Sequence, residues 1–230
     1  MNLRLLVKQL GWANGALYVT SRILEKASNQ RVRIVKYYLV AQPIGLTDAK
    51  SAKPMRSDST TSMQQVSSGD PLAQAFPRPW AIIARRYAAG SICTAARVRG
   101  EFAGFIWLQR GRYEEDELRC SFVLDAPSIS VWDFDVYIEP KYRIGRTMAR
   151  LWSHVDAQLA AEGVRWSFSR ISAFNTASLS SHARLGAVIC GSAVFLLLGP
   201  LQFSYLPNYP YLHLSASARS VPVVRLRPPS

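Results

Sequence analysis

Residues 132–140, WDFDVYIEP, run directly into a basic turn at 140–146, PKYRIGR. The first segment has the apolar and polar alternation of a β-strand, and the apolar spacing after the turn predicts an amphipathic helix to about Glu162. The backbone N–H groups of a first helical turn have no partner inside the helix and carry the positive end of its dipole. A strand that ends at a basic, glycine-containing turn before a helix can therefore hold a phosphate group.

Further elements, predicted from periodicity and from Gly and Pro boundaries, flank this segment on both sides. In chain order they are helix 3–27, strand 31–43, helix 79–89, a hairpin over 91–111, strands 117–125 and 130–138, helix 143–162, strand 165–171, helix 175–185 and strand 188–198. A long antiparallel run followed by β-α-β-α-β predicts an α/β fold with a mixed sheet of six or seven mostly antiparallel strands, flanked by helices.

The chain divides by composition into four segments. Residues 1–44 hold an amphipathic helix and a first strand, and 45–70 are rich in Ser and Thr, as in a flexible linker or insertion. Residues 71–200 form the predicted core, and 201–230 form a Pro- and Tyr-rich basic tail to which the sequence assigns no role.

Composition limits the class of protein. A hydrophobic content of 49% with ten Tyr, nine Phe and six Trp is typical of a globular domain. Three widely spaced cysteines without a CxxC or a Cys/His cluster predict neither a metal site nor a disulfide framework, and favour a reducing cytoplasm. No apolar run approaches the roughly 20 residues that a membrane-spanning helix needs.

The net charge of +13 is unevenly distributed. Residues 111–140 hold eight Asp or Glu against Arg112 and Arg119, a local balance of −6, between two basic segments. This acidic block would repel phosphate, and no recognition motif is present, so nucleic-acid binding is the least favoured function.

The order and spacing of residues 71–198, with the strand at 31–43 first, resemble the acetyl-CoA-binding half of the GNAT acyltransferase superfamily. The superfamily motif is Q/R-x-x-G-x-G/A, often after a strand and Pro, and this chain has one glycine where typical members have two or three. The resemblance implies acetyl-CoA as co-substrate, no metal, and strands that splay at the cofactor site. The residues expected at the CoA pyrophosphate are Lys141, Arg143, Ile144, Gly145, Arg146 and Thr147.

The same resemblance assigns two roles to the acidic strands. Main-chain groups near the end of the strand are expected to pair with the pantetheine arm, which here means Val136, Tyr137 and Ile138. An acidic residue is expected to take the proton of an acceptor amine, and the candidates are Asp133, Asp135, Glu117 and Asp116. Alternation puts Asp133, Asp135 and Tyr137 on one face of the strand. The alternative is a solvated acidic face or salt bridges to arginines.

The second helix carries the remaining candidates. Many superfamily members have Asn, a Tyr seven residues later and Gly-Phe four residues after that; here Asn175, His182 and Gly186 keep the spacing. The Tyr hydroxyl typically protonates the departing thiolate, and His182 would do so as an imidazolium; the alternative is a histidine that only bonds to the backbone. Asn175 is predicted to cap the helix and, with Ser178, to contact pantetheine.

The resemblance implies an acyl-CoA-dependent N-acyltransferase, with acetyl transfer as the expected reaction, in which an amine, expected to be cationic, attacks the thioester directly. The alternatives are a catalytically degenerate GNAT-like domain that binds a ligand or partner and, last, a basic nucleic-acid-binding protein. The identity of the acceptor, the acyl chain length and a homodimeric state are left open by the sequence.

Overall fold

The computed structural model describes residues 3–45 and 60–229, and the chain forms two compact units. The first unit consists of residues 1–42, 112–125 and 168–230, and the second of residues 43–111 and 126–167. The helices are α1 (Leu3–Ala27), α2 (Trp80–Ala88), α3 (Thr147–Ala161) and α4 (Thr176–Arg184), with short 3₁₀ helices at Pro71–Ala75 and Pro140–Tyr142.

Twelve strands lie within the described residues. They are β1 (Val32–Pro43), β2 (Thr61–Val66), β3 (Ile92–Val98), β4 (Glu101–Gln109), β5 (Arg112–Glu114), β6 (Ser121–Leu124), β7 (Ser130–Ile138), β8 (Trp166–Ser172), β9 (Val188–Leu198), β10 (Leu201–Tyr205), β11 (Leu212–Ser215) and β12 (Val223–Leu226). The predicted mixed α/β fold, a large sheet with flanking helices, is therefore confirmed.

The first unit pairs its strands in the order β11-β10-β9-β1-β8, and a separate three-stranded group has the order β12-β6-β5. β12 pairs with β6 in parallel, whereas β9 pairs antiparallel with both β1 and β10. Helix α1 lies against β1, since the Ser21 hydroxyl donates to the Ile34 carbonyl at 3.0 Å. The helix is kinked at Gly11, which takes a φ of 74°, a value that glycine adopts readily and residues with a side chain rarely do.

The second unit pairs its strands in the order β7-β4-β3-β2, all antiparallel. Helix α3 covers a cluster of buried apolar residues from these strands, to which it contributes the four side chains expected from its spacing: Leu151, Trp152, Val155 and Leu159. Full burial of such a side chain contributes about 1.5–3 kcal/mol, so this face stabilises the packing of α3 against the strands. Gly163, at φ 79°, follows the helix as predicted.

The structure differs from the sequence prediction in three segments. Of the predicted linker at 45–70, residues 46–59 lie outside the described residues, whereas Thr61–Val66 form β2. The sequence does not predict β2, because only Val66 of its six residues is buried and the strand therefore has no clear apolar pattern. The predicted tail contains β10, β11 and β12, and the predicted strand at 117–125 is shorter, starting at Ser121.

Candidate functional site

The turn after β7 has the form expected of an anion-binding helix start. Residues Pro140–Tyr142 make one 3₁₀ turn, and Arg146 stands at the N-cap position of α3 without a side-chain cap. No acidic residue lies in the first turn of α3. Within the turn, the amides of Arg143 and Gly145 donate to the carbonyls of Pro140 and Tyr142, at 3.3 Å each. The first amides of α3 itself, from Thr147 onward, are the ones open to an external acceptor, and the helix dipole favours a negatively charged one.

The turn is well exposed. Arg143, Ile144, Gly145 and Arg146 are all exposed, and the Ile144 side chain is fully so, whereas the following Thr147 is buried. An exposed isoleucine beside two arginines can contact an apolar or aromatic part of a ligand while the guanidiniums bind its charged part.

The basic side chains of the turn differ in how much of their charge is free. Lys141 pairs with Glu101, whose other hydrogen bond comes from the Tyr142 hydroxyl at 3.0 Å. That bond from Lys141 lowers the pKa of Glu101 and raises the pKa of Lys141. Arg143 donates from Nε to the Ile138 carbonyl at 2.9 Å, and its guanidinium carbon lies 5.9 Å from the centroid of the Tyr137 ring. Glu101 thus offsets the charge of Lys141, whereas neither Arg143 nor Arg146 has an acidic partner among the described residues.

A β-bulge interrupts β7 at Asp135, where φ is 45°. On one side of it Phe134 pairs with Trp107, and on the other Tyr137 pairs with Phe105, so the register shifts by one residue. Trp107 and Phe105 are two residues apart on β4, which places Phe134 and Tyr137 on the same face.

The predicted face of β7 is therefore wrong. Asp133 pairs with Leu108 and lies on the face opposite Tyr137. Strict alternation failed because the extra residue of the bulge reverses the side on which later residues lie, and a sequence pattern does not reveal a bulge by itself.

Asp135 is held by two arginines. Arg78 donates to it through Nε at 2.8 Å and through Nη2, and Arg86 donates from Nη1 at 2.6 Å. The Arg86 guanidinium also lies over the rings of Trp107 and Phe134, at 5.3 Å and 5.1 Å from their centroids. Both guanidiniums form ion pairs with the Asp135 carboxylate, so the salt-bridge alternative holds for Asp135.

Asp133 has a different environment. It is only 3% exposed, and the Ser167 hydroxyl donates to its Oδ2 at 2.6 Å. Burial raises the pKa of Asp133 to about 7, and the Ser167 hydrogen bond offsets part of that rise. Its carboxyl group therefore exchanges a proton near neutral pH, which suits a general base.

The end of β7 approaches β4 very closely. Gly104 faces Ile138, and a β-carbon at Gly104 would meet the Tyr137 carbonyl oxygen and come within 2.7 Å of Ile138 Cδ1. Only glycine fits there, because any side chain would collide with the backbone of β7 and push the two strands apart. Of the three residues predicted to contact pantetheine, Val136 is exposed and the other two are half-buried.

The remaining candidates belong to the first unit. Asn175 caps α4 as predicted, since its Oδ1 accepts from the Ser178 amide at 3.1 Å. None of the residues of α4 is buried, so few tertiary contacts stabilise this helix.

Replacing Asn175 with alanine should destabilise α4 by about 1 kcal/mol, because the Ser178 amide loses its partner. Amide hydrogen exchange over residues 176–184 measures this, and it should quicken several-fold. Ser180→Ala, at an exposed position of the same helix, is the control and should not quicken exchange. Equal exchange in both variants would show that the cap contributes nothing.

His182 does not carry the charge that its predicted role requires. Its Nδ1 lies 2.9 Å from Oε1 of Gln42, which is 2% exposed at the end of β1. Burial lowers the pKa of His182, so the imidazole is neutral at pH 7. An acid role as imidazolium is therefore disfavoured, and Gln42 orients the ring.

Glu117 is exposed and Asp116 half-buried in the loop after β5. Their neighbour Glu115, which the sequence did not single out, is buried and accepts from Arg170 Nε at 2.9 Å. Burial raises the pKa of Glu115, and Arg170 offsets part of the rise. The Arg170 guanidinium lies 4.5 Å from the Tyr37 ring centroid, which completes a cluster built from three distant chain segments.

The candidates thus separate into two groups. Those of β7 and its turn, from Asp133 to Thr147, lie together in the second unit; Glu117, Asn175, Ser178 and His182 lie in the first. The sequence missed Ser167, Arg78 and Arg86, because no spacing rule connects residues 34 to 57 positions apart.

Within residues 3–45 and 60–229, no group of three or more His, Cys, Asp or Glu side chains could hold a metal ion. None of the helices in that part of the chain is both long and apolar enough to cross a membrane.

The sequence and the structure were compared with those of known proteins. No protein-family model matches the sequence, and no curated protein matches it. A tandem GNAT protein from the clavulanic acid biosynthesis pathway is similar in structure, with a TM-score of 0.50 and 14% identity, over 74% of this chain and 56% of that one.

Two further structures are similar. A conserved protein of unknown function from Staphylococcus epidermidis has a TM-score of 0.49 at 16% identity, covering 77% of this chain and 67% of its own. AAC(6')-Iy in complex with a CoA-containing bisubstrate analogue has a TM-score of 0.40 at 19% identity, covering 55% and 89%. The likeness to the tandem GNAT protein, together with the strand, basic turn and helix described above, shows that this chain is a divergent protein of the GNAT fold.

Proposed function

We propose that the protein is an acyl-CoA-dependent N-acyltransferase, most simply an acetyltransferase acting on an amine. The observation that carries this proposal is the exposed, uncapped N-terminus of α3, which follows a basic turn at the end of the bulged strand β7. An uncapped helix start with two available arginines matches the charge and shape of a pyrophosphate.

The residues of the turn would bind the cofactor. Of the amides predicted from Arg143 to Thr147, those of Ile144, Arg146 and Thr147 would hold the pyrophosphate, because the other two already donate within the turn. The guanidiniums of Arg143 and Arg146 would supply charge. Exposed Ile144 would contact the adenosine part. The backbone of Val136 to Ile138, which lies close to β4 because residue 104 is a glycine, would pair with the pantetheine arm.

Asp133 is the proposed proton acceptor of the reaction. The amine nitrogen attacks the thioester carbonyl, the C–N bond forms, and the C–S bond breaks as the thiolate leaves. The proton of the amine passes to Asp133, with the Ser167 hydroxyl or a water molecule as relay because the carboxyl is buried. Positioning of two substrates would supply much of the rate.

The leaving thiolate needs no imidazolium in this scheme. A thiol has a pKa of about 8.5, so a thiolate can depart without prior protonation and take a proton afterwards. His182, which lies in the first unit, is given no role in this scheme.

The proposal is tested first by calorimetric titration with acetyl-CoA. Arg143→Ala/Arg146→Ala should weaken binding by about 30-fold, since two charge-assisted phosphate contacts are worth about 2 kcal/mol together. Arg22→Ala/Lys26→Ala on α1 changes the net charge equally at exposed positions and should leave affinity unchanged. Absence of binding by the native protein would overturn the proposal.

The neutral state of His182 and the ion pairs of Asp135 favour one competing function, a GNAT-fold domain that binds its ligand without catalysis. It predicts the same acetyl-CoA binding as the enzyme. A panel of amines, assayed by release of free thiol, separates the two. Turnover on any amine supports the transferase, and binding without turnover supports the competing function.

A further inference from the structure

The hairpin formed by β10 and β11 has its polar and apolar faces reversed. Gln202, Ser204 and Ser215 are at most 2% exposed, whereas four apolar side chains of the same two strands are between 43% and 74% exposed. These four form cross-strand pairs, Phe203 with Leu214 and Tyr205 with Leu212, and so lie on one face. Burying polar residues while exposing aromatic and aliphatic ones is costly unless something covers the apolar face.

This arrangement is locked in register by Gln202. Its Oε1 accepts from the Arg119 amide at 3.0 Å and its Nε2 donates to the Arg119 carbonyl at 2.7 Å, as a neighbouring strand would. The same Nε2 also donates to Ser204 Oγ at 3.1 Å. A slip of one residue would bury Phe203 and Tyr205 but break these bonds, so the exposed apolar face is a fixed feature of the fold.

The apolar hairpin surface, defined as Phe203, Tyr205, Leu212 and Leu214 with Tyr209 and Tyr211 of the connecting loop, is large enough for a stable interface. Its six side chains expose about 700 Å² in total, at about 200 Å² for each whole side chain. One partner in a standard-size interface buries roughly 600–1,000 Å², so this surface falls within that range. β11 is also the terminal strand in its sheet order within the described residues, and it carries no Lys or Pro that would discourage strand pairing.

The distribution of charge indicates which partner covers the apolar hairpin surface. Residues 201–215 contain no Lys, Arg, Asp or Glu, although the chain has a net charge of +13. Two copies would repel each other elsewhere, and this neutral surface lets them meet without that cost. An anionic membrane is less suited as the occupant. The nearby cationic side chains, Arg225 and Arg227, line a pocket with Tyr209, but both donate to Asp125, at 3.0 Å and 2.9 Å. Their charge is therefore partly offset by that carboxylate.

We propose that the apolar hairpin surface binds the same surface of a second copy of this chain, giving a two-fold homodimer. An isologous contact needs a self-complementary patch, and a neutral apolar face bordered by an edge strand is one. The proposal does not depend on acyltransferase activity.

Sedimentation equilibrium of the full chain tests the dimer. We expect a mass of twice 25.7 kDa at micromolar concentration. Leu212→Glu/Leu214→Glu should weaken association at least about 100-fold, because four carboxylates would be buried in each dimer. Trp12→Glu/Ile23→Glu, which places the same charge at exposed apolar positions on α1, is the matched control and should leave the dimer intact.

Hydrogen exchange on the unmodified protein gives a second readout that does not depend on how the variants fold. Amides of residues 203–214 should exchange faster when the protein is diluted below its dissociation constant. A monomer at about 100 μM, a dimer that survives the hairpin variant, or a monomer that binds anionic vesicles through this surface would each overturn the proposal.

Discussion

Replacing Asp133 with asparagine should remove a loss of stability that the native protein suffers between pH 4 and pH 7. The folded-state pKa of Asp133 is about 7, against about 3.9 in an unfolded chain, so the folded protein holds a proton in this range that the unfolded chain releases. The contribution of Asp133 to the free energy of unfolding therefore falls by roughly 4 kcal/mol as the pH rises through this window, and it levels off above it. Asparagine can still accept the Ser167 hydrogen bond.

Urea unfolding at a series of pH values measures the effect as the difference between the two proteins. The difference should be small near pH 4 and should grow in favour of the variant up to pH 7. Glu117→Gln, at an exposed carboxyl, is the control and should show no such growth. A constant difference from pH 4 to pH 8 would contradict a raised pKa at Asp133. Under the proposed function, Asp133→Asn also lowers kcat about 100-fold or more, so the variant would be more stable but less active.

Gly104→Ala should be among the most damaging small substitutions in the second unit. The new methyl group would meet the Tyr137 carbonyl oxygen and the Ile138 side chain, and backbone atoms of a paired strand do not move aside cheaply. We expect a loss of about 3 kcal/mol in the free energy of unfolding. Thermal and urea unfolding measure it directly.

Gly69→Ala is the matched control, since no atom lies within 4 Å of the added carbon and its φ suits any residue. It should be neutral within about 0.5 kcal/mol. If Gly104→Ala folds, its affinity for acetyl-CoA should also fall, because the substitution moves the backbone proposed to hold pantetheine. Equal stability of the two variants would contradict the close approach of the β4 and β7 backbones at Gly104.

Local patterns were sufficient for much of the fold. The buried face of α3 follows from apolar residues at helical spacing, and Asn175 caps α4 because an Asn before a helix satisfies a free amide. Both depend on residues a few positions apart. β2 could not be predicted in this way, because it buries little and is held by pairing with β3.

The candidate site divides in the same manner. The position of the basic turn before a helix was evident from residues 132–146 alone, since the strand, the turn and the helix are contiguous. The state of each acidic residue was not, because Asp133 depends on Ser167 and Asp135 depends on Arg78 and Arg86. A pattern that treats all aspartates of one strand alike could not separate a buried carboxyl from an ion-paired one.

The amino-acid sequence by itself determined the succession of strand, basic turn and helix at residues 132–162, the amphipathic face of α3 and the cap of α4, because periodicity and capping act over a few residues. Only the tertiary structure decided which carboxyl titrates near neutral pH, that His182 is neutral, and that the hairpin of β10 and β11 shows its apolar face. Burial, a bulge in β7 and bonds between distant segments set those properties, and each depends on neighbours that only folding brings together.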